Sequence, residues 1–304
     1  MHNKYPLIFI VGPTAAGKTD VAVSLAEKIS ADIVSCDSML VYREPRLLVN
    51  KPDRSVLDKT RHHLIDIVSV EEEFDVHRFK QEADAVISRL YPLKNLIFAG
   101  GSGLYIKILL DGIFEGGASS SELRQRLSEQ AKAEGVQSLH DRLRRLDPDA
   151  AATIDPHDLR RIIRALEVGH LSDKPISVRQ KEAQGYWGAL PIKVFGLALE
   201  RKTLYQRIDA RTEEMFSRGA IEEAKELTRL ALSKTAEKIL GLPEISAYLC
   251  GTTDRATALD ELKKNTRRFA KRQLTWFRKD KRIEWIDSGG KNPDAIAEEI
   301  LCKL

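Results

Sequence analysis

The stretch that most restricts what this chain can fold into is "IFIVGPTAAGKTDVAVSLAEKI", near its start. Within it Gly12, Pro13, Thr14, Ala15, Ala16, Gly17, Lys18 and Thr19 read G-x-x-x-x-G-K-T. The short apolar run before the loop predicts a buried parallel strand. After it, Ala22, Leu25, Ala26 and Ile29 recur at helical spacing. A Gly-rich turn between such a strand and such a helix can cradle phosphate oxygens on backbone N–H groups, helped by the helix N-terminus. Lys18 adds a point charge, and the Thr19 hydroxyl can ligate Mg²⁺. The usual tenant is ATP or GTP, but the motif reads phosphates and not the group attached to them.

The pattern repeats downstream. "ADIVSCD" predicts a second strand ending on Asp37, and "NLIFAGG" a third that runs into the turn "GGSGLY". Alternating strands and helices imply an α/β fold, a P-loop doubly wound parallel sheet whose ligands bind at the carboxyl ends of its strands. Gly12–Thr19, Asp37 and Gly100–Gly103 then converge on one crevice. From about residue 114 only helical signals remain, opening on Ser119-x-x-Glu122, which reads as a capping box. Leu139, Leu143 and Leu146 share one helix face, and Leu159, Ile162, Ile163 and Leu166 another. Strand character returns with "IKVFGLAL" and again with "RIEWID". The expected organisation is therefore a P-loop core over residues 1–113, an all-helical insertion domain over 114–187, and completion of the core over 188–304 with a basic C-terminal helix.

Several features admit two readings. Asp37 suits a metal-holding aspartate or a general base, and equally an N-cap; its place at a strand end favours function. "GGSGLY", with the Ser102 hydroxyl, is a second phosphate-approaching turn or a turn needing unusual dihedrals. Arg160, Arg161 and Arg164 fall together opposite the buried stripe of their helix, as a solvated face or a phosphate-binding one. Between Lys263 and Arg282 stand ten Lys/Arg and one acid, Asp280, while net charge over 304 residues is only +4. Leu262, Phe269, Gln273, Trp276 and Phe277 fall roughly on one face of that helix, and Arg267, Arg268, Lys271 and Arg278 on the other. A local basic patch of this kind favours RNA contact over a merely exposed face. His62 and His63 are neighbours without a zinc-spaced set, so they read as local structure, in a loop near the crevice. Three scattered cysteines suggest free thiols, no run reaches membrane-span length, and the chain enters a strand almost at once. A cytoplasmic location is expected.

Seven segments in order resemble one family, the tRNA dimethylallyltransferases of bacterial type. They are "VGPTAAGKT", "IVSCDSMLVY", "HHLIDIVSVEEEFDVHRF", "AGGSGLYIKILLDG", "DPHDLRRIIRALEV" with "DKPIS", "GLALERKTLYQRIDARTEEM" and "TRRFAKRQLTWFRKDKRIEW". The resemblance implies transfer of a dimethylallyl group from dimethylallyl diphosphate to N6 of adenosine 37 in tRNA, with Mg²⁺. The partner would be an anticodon stem-loop carrying A36-A37-A38, and the enzyme a monomer. It implies Asp37 as general base, and Lys18 and Ser102 as catalytic partners. Arg164 would join Gly12–Thr19 on the diphosphate. Asp37, Ser38, Met39, Leu40, Ser102, Arg124, Arg160, Arg161, Ile162, Ile163, Arg164, Lys271, Arg272, Gln273, Trp276 and Arg278 would meet tRNA. Ser102 stands where the family has Thr, keeping the hydroxyl. "LLVNKP" and "ILGLPE" depart from the family pattern and bear on tRNA choice. Competing activities are prenylation of free AMP, ADP or ATP, and ATP-driven P-loop chemistry.

Overall fold

A computed structural model describes residues 5–91, 93–114, 120–172 and 174–304. In chain order the first elements are β1 (Leu7–Val11), α1 (Lys18–Ile29), β2 (Ala31–Ser35), α2 (Arg54–Leu57), β3 (His62–His63), α3 (Val76–Leu90), β4 (Asn95–Gly100) and α4 (Gly103–Asp111). Five helices follow: α5 (Ser121–Glu134), α6 (Val136–Leu146), α7 (Pro148–Thr153), α8 (Leu159–Leu171) and α9 (Ile176–Glu182). The chain then runs through β5 (Ile192–Ala198), α10 (Arg201–Ser217), α11 (Ala220–Leu227), α12 (Leu242–Leu249), α13 (Arg255–Phe277), β6 (Ile283–Asp287) and α14 (Pro293–Leu301).

The strands form one parallel sheet in the order β3-β2-β4-β1-β5-β6. Central β1 is apolar throughout and fully buried, because both its faces are covered and it pairs with β4 and β5. Ile8 and Ile10 point to one face, where they join Val21, Ala22 and Leu25 of α1 and Ile296, Ala297 and Ile300 of α14. Phe9 points the other way and stacks on Phe98 of β4, with ring centroids 4.6 Å apart. The strand order reverses beside β1, so the loops after β1, β2 and β4 open at one end of the sheet.

The edge strand β3 was not expected. His62 and His63 pair with Ile33 and Val34 of β2, and His63 Nε2 lies 2.8 Å from Asp32 Oδ2, on the amino side of β2. The pair therefore belongs to the sheet edge and not to a loop at the crevice. Two residues are too short for any period to show.

Residues Leu110–Tyr186 form a compact unit distinct from the sheet. It is entirely helical among its described residues, around Leu127, Leu139, Leu143, Ile162 and Leu166. Leu146, expected on the buried stripe, is 59% exposed. It ends α6, just before the chain turns at Asp147, and so overshoots the core. Ser119 lies outside the described residues; the cap of α5 is Ser120, whose hydroxyl accepts from Leu123 N at 3.1 Å.

Candidate active site

The loop after β1 turns through Ala15, at φ 63°, and Gly17, at φ 86°, into α1. A non-glycine residue in the left-handed region is costly, and such strain gathers at functional sites. No side chain caps α1, so its first N–H groups remain directed at whatever occupies the loop. In the loop before it two N–H groups are engaged within the protein, Ala16 N by Pro13 O at 3.4 Å and Thr14 N by the Gln273 side chain at 2.8 Å. Lys18 Nζ donates to Pro13 O at 2.7 Å. Burial pulls the Lys18 ammonium down to about 8, against the opposing pull of Asp37 and with help from Arg211. The loop is thus held open with its cation inside.

Asp37 follows β2. Its Oδ1 accepts from Met39 N at 2.9 Å, which fixes the carboxylate by a local turn and leaves Oδ2 without a protein partner among the described residues. The cap-like and functional readings are compatible, since one oxygen orients the other. Ser102 meets the same segment from the loop after β4. Its N–H donates to Cys36 O at 3.1 Å, and its Oγ accepts from Ser38 N at 3.0 Å. With its oxygen engaged, the hydroxyl proton is available for donation elsewhere.

A cavity of about 780 Å³ joins these loops. Thr14, Ala15, Gly17, Lys18, Thr19, Asp37, Ser38, Met39 and Leu40 line it, together with Arg207, Arg211 and Arg272. Arg211 was missed in the sequence. It reaches from α10 to donate to Thr14 Oγ1 at 2.7 Å, and its Nε is buried with no hydrogen-bond partner among the described residues. Burial lowers its pKa, against the pull of Asp37. The available signal was Arg207 and Arg211 one helical turn apart in "YQRIDAR", just after a strand's carboxyl end. Both segments that depart from the family pattern line the same cavity, through Leu47–Pro52 and through Ile239 and Leu240.

Residues 40–280 match the family described as IPP transferase. A tRNA dimethylallyltransferase of Natranaerobius thermophilus is 41% identical over 97% of this chain and 90% of its own. One of Geobacter sulfurreducens is 40% identical over 94% and 93%. The crystal structure of a tRNA isopentenylpyrophosphate transferase from Bacillus halodurans superposes with TM-score 0.72 at 36% identity, covering 98% of this chain and 94% of that one. A eukaryotic dimethylallyltransferase acting on tRNA gives TM-score 0.74 at 25% identity, over 92% and 73%. The chain belongs to the IPP transferase family. The residues it was expected to share with that family are not all placed alike. Lys271, Trp276 and Arg278 are exposed on α13 and its end. Arg267 is tied to Asp209 through Nε at 2.8 Å and Nη2 at 3.0 Å, so the basic face is narrower than its charge count implied. Gln273, expected at tRNA, is buried under the loops, with both ends of its amide engaged.

Within the helical unit Arg160 is exposed, and Arg161 pairs with Asp158 at 3.3 Å. Ile162 is fully buried in that unit's core, so its side chain presents no face for RNA as expected, while Ile163 is half-buried and packs against that core. Arg124 and Arg164 share the buried Glu167. Arg124 is held in a fork at 2.8 and 2.9 Å, and Arg164 at 2.7 Å. Burial pushes the Glu167 carboxyl up, but the two guanidinium groups outweigh it and hold the group below its usual range. The arginine face is therefore part of an ion network, whose acid lay one turn beyond the arginines in sequence.

Proposed function

We propose that this chain transfers a dimethylallyl group from dimethylallyl diphosphate to N6 of adenosine 37 in tRNA and releases diphosphate. The observation that carries the reading is the single cavity in which the Lys18 loop, Asp37 and Arg211 meet in a member of this family. The bond from the donor's C1 to the diphosphate oxygen breaks as N6 bonds to C1, and the N6 proton passes to Asp37 Oδ2. An exocyclic amine delocalised into its ring is a weak nucleophile, so a carboxylate already oriented by Met39 N assists it. Negative charge gathers on the departing oxygen. Lys18, Arg211 and the N–H groups opening α1 answer that charge in a partly dry site. The Ser102 hydroxyl is positioned from the Asp37 side by Ser38.

The donor set suits Mg²⁺ held mostly by water and diphosphate. Thr19, whose hydroxyl has no protein partner among the described residues, would hold the cation, Asp37 keeps its unpartnered oxygen for the N6 proton, and no group of three His, Cys, Asp or Glu among those residues gathers into a cage there. Bound there, the cation would neutralise charge on the leaving diphosphate. For RNA the reading uses the exposed face of α13 and the Arg124, Arg160 and Arg164 groups of the helical unit. Adenosine 37 leaves its stack to be reached, as enzymes acting on a base require. Action as a monomer in the cytoplasm, on anticodon loops carrying A36-A37-A38, completes the proposal.

The test supplies Mg²⁺ and radiolabelled dimethylallyl diphosphate with either unmodified tRNA or free AMP. Label at adenosine 37 is the expected result. Label in AMP alone, or in neither, refutes the reading.

A further inference from the structure

Gln273 lies on α13, within a run of basic residues, yet it is only 7% exposed. Its Oε1 accepts from Thr14 N at 2.8 Å, and its Nε2 donates to Gly101 O at 3.0 Å. Thr14 N can only donate and Gly101 O can only accept, so these partners fix which way the amide points. Around it the fit leaves no slack. A Cβ on Gly101 would stand 2.2 Å from Gln273 Nε2, and one on Gly103 would stand 2.3 Å from the Trp276 ring. The two glycines of "GGSG" flanking Ser102 are therefore bare because α13 presses side chains into their places. Thr14 is gripped from two helices at once, by Gln273 on its N–H and by Arg211 on its hydroxyl.

The two loops joined through Gln273 carry different halves of the chemistry. Thr14 belongs to the loop that holds Lys18. Gly101 precedes Ser102, whose hydroxyl is bonded to Ser38 beside Asp37. We propose that Gln273 is a positioning residue that sets the distance between the donor's phosphate loop and the acceptor side of the site, and that it does not read RNA. This rests on the prenyl-transfer reading above. It separates Gln273 from Lys271 and Arg278, which share its helix but face water.

Two variants test it. Gln273→Met keeps length and loses both hydrogen bonds. Gln273→Glu still accepts from Thr14 N but sets a carboxylate oxygen against Gly101 O. A misplacement of about 1 Å between reactants costs roughly 10²-fold in rate. For Gln273→Met the single-turnover rate is therefore expected to fall by about 10- to 100-fold, while KM for tRNA stays within about twofold and amide exchange at Thr14 accelerates at least about tenfold. For Gln273→Glu, activity relative to wild type at each pH should recover as pH falls, because the protonated acid donates to Gly101 O as the amide does. An unchanged rate with raised KM for tRNA would make Gln273 an RNA contact and overturn the proposal. So would a flat activity ratio across pH, or unchanged exchange at Thr14. The glutamate variant decides the matter if the methionine variant fails to fold. Wild-type protein that transfers no prenyl group would sink the functional reading instead, and Thr14 exchange would still judge the link between the loops.

Discussion

Lys18 is the residue whose charge this site controls most closely. Burial is the larger influence on it, and Asp37 only partly compensates, so its ammonium titrates at about 8. It is charged at neutral pH and neutral a unit or two above. kcat/KM for the donor reports groups of the free enzyme, and it should fall as pH rises through about 8. The fall should be several-fold per pH unit until other phosphate ligands carry the binding. A diphosphate in the loop favours the charged form, so kcat at saturating donor should hold to higher pH. Stability moves in the opposite direction. The folded pKa is below the unfolded value of 10.5, so the unfolded chain binds more protons between the two, and folding becomes more favourable as pH rises from about 8 to 10.5. Paired pH profiles of kcat/KM and of urea unfolding would check both signs; a donor kcat/KM flat to about pH 10 would mean Lys18 does not meet the phosphate. Arg211 cannot compensate by titrating, because a guanidinium stays charged over this range even with its pKa lowered by burial.

At the scale of elements, α13 divides its labour by face. Ala258, Leu262, Thr266, Ala270, Gln273 and Phe277 face inward, while Lys271 and Arg278 are exposed with no ionic partner among the described residues. Replacing Lys271 and Arg278 together by alanine should weaken tRNA binding about tenfold or more near 0.1 M salt. It should also flatten the slope of log K against log salt by about one to two, since each phosphate that a cation neutralises adds about 0.7–0.9 to it. Thermal stability should barely change. Filter binding across a salt series would show it, and an unaltered slope would remove this face from the RNA interface. Arg267→Ala should cost less RNA affinity than that pair, since its guanidinium is already tied to Asp209, and the half-exposed ion pair it breaks is worth only about 0–1 kcal/mol of stability. This division explains what the sequence disclosed. The apolar strands β1 and β4, the loop G-x-x-x-x-G-K-T and the basic helix each carry a local signature, and all stand where they were read. What stayed hidden depends on partners distant in the chain. Gln273 serves Thr14 from 259 positions away and Gly101 from 172, and Arg211 serves Thr14 from 197. A helical wheel separates inside from outside but cannot say what an inward polar group touches. β3 owes its strand state to β2 alone, and no propensity of two histidines announces that.

At the scale of the whole molecule, the sheet unit is built from two chain segments, Met1–Leu109 and Trp187–Leu304, and the helical unit inserted between them in sequence has its two ends together. A Cβ on Gly185 would meet Leu110 O at 2.2 Å, and one on Gly112 would meet the Gln184 carbonyl carbon at 2.4 Å, so the entering and leaving chain segments touch. Inserted domains are tolerated where their ends lie close, because the host then needs no long closure. The helical unit also has its own core, from Leu127 and Ala131 through Leu166 and Val168. The sheet unit draws its core from β1, α1 and α14, which all lie outside the insertion. Removal of residues 113–183, with a few glycines joining the ends, should therefore leave a folded α/β protein. Every residue lining the 780 Å³ cavity is retained in it and, of the residues expected on the diphosphate, only Arg164 is lost, so inorganic diphosphate should still bind, any drop in affinity reporting the share of Arg164. Arg124, Arg160 and Arg164 leave together, and the proposed function assigns part of the RNA surface to them. Affinity for tRNA should accordingly drop by more than about tenfold, with a shallower salt dependence than the full chain. Calorimetry with diphosphate and a salt series with tRNA separate the outcomes. Intact diphosphate binding with abolished tRNA binding supports the assignment. Unchanged tRNA affinity would confine RNA recognition to the sheet unit and its basic helix, and would leave the Arg124–Glu167–Arg164 network as a device for holding the helical unit together.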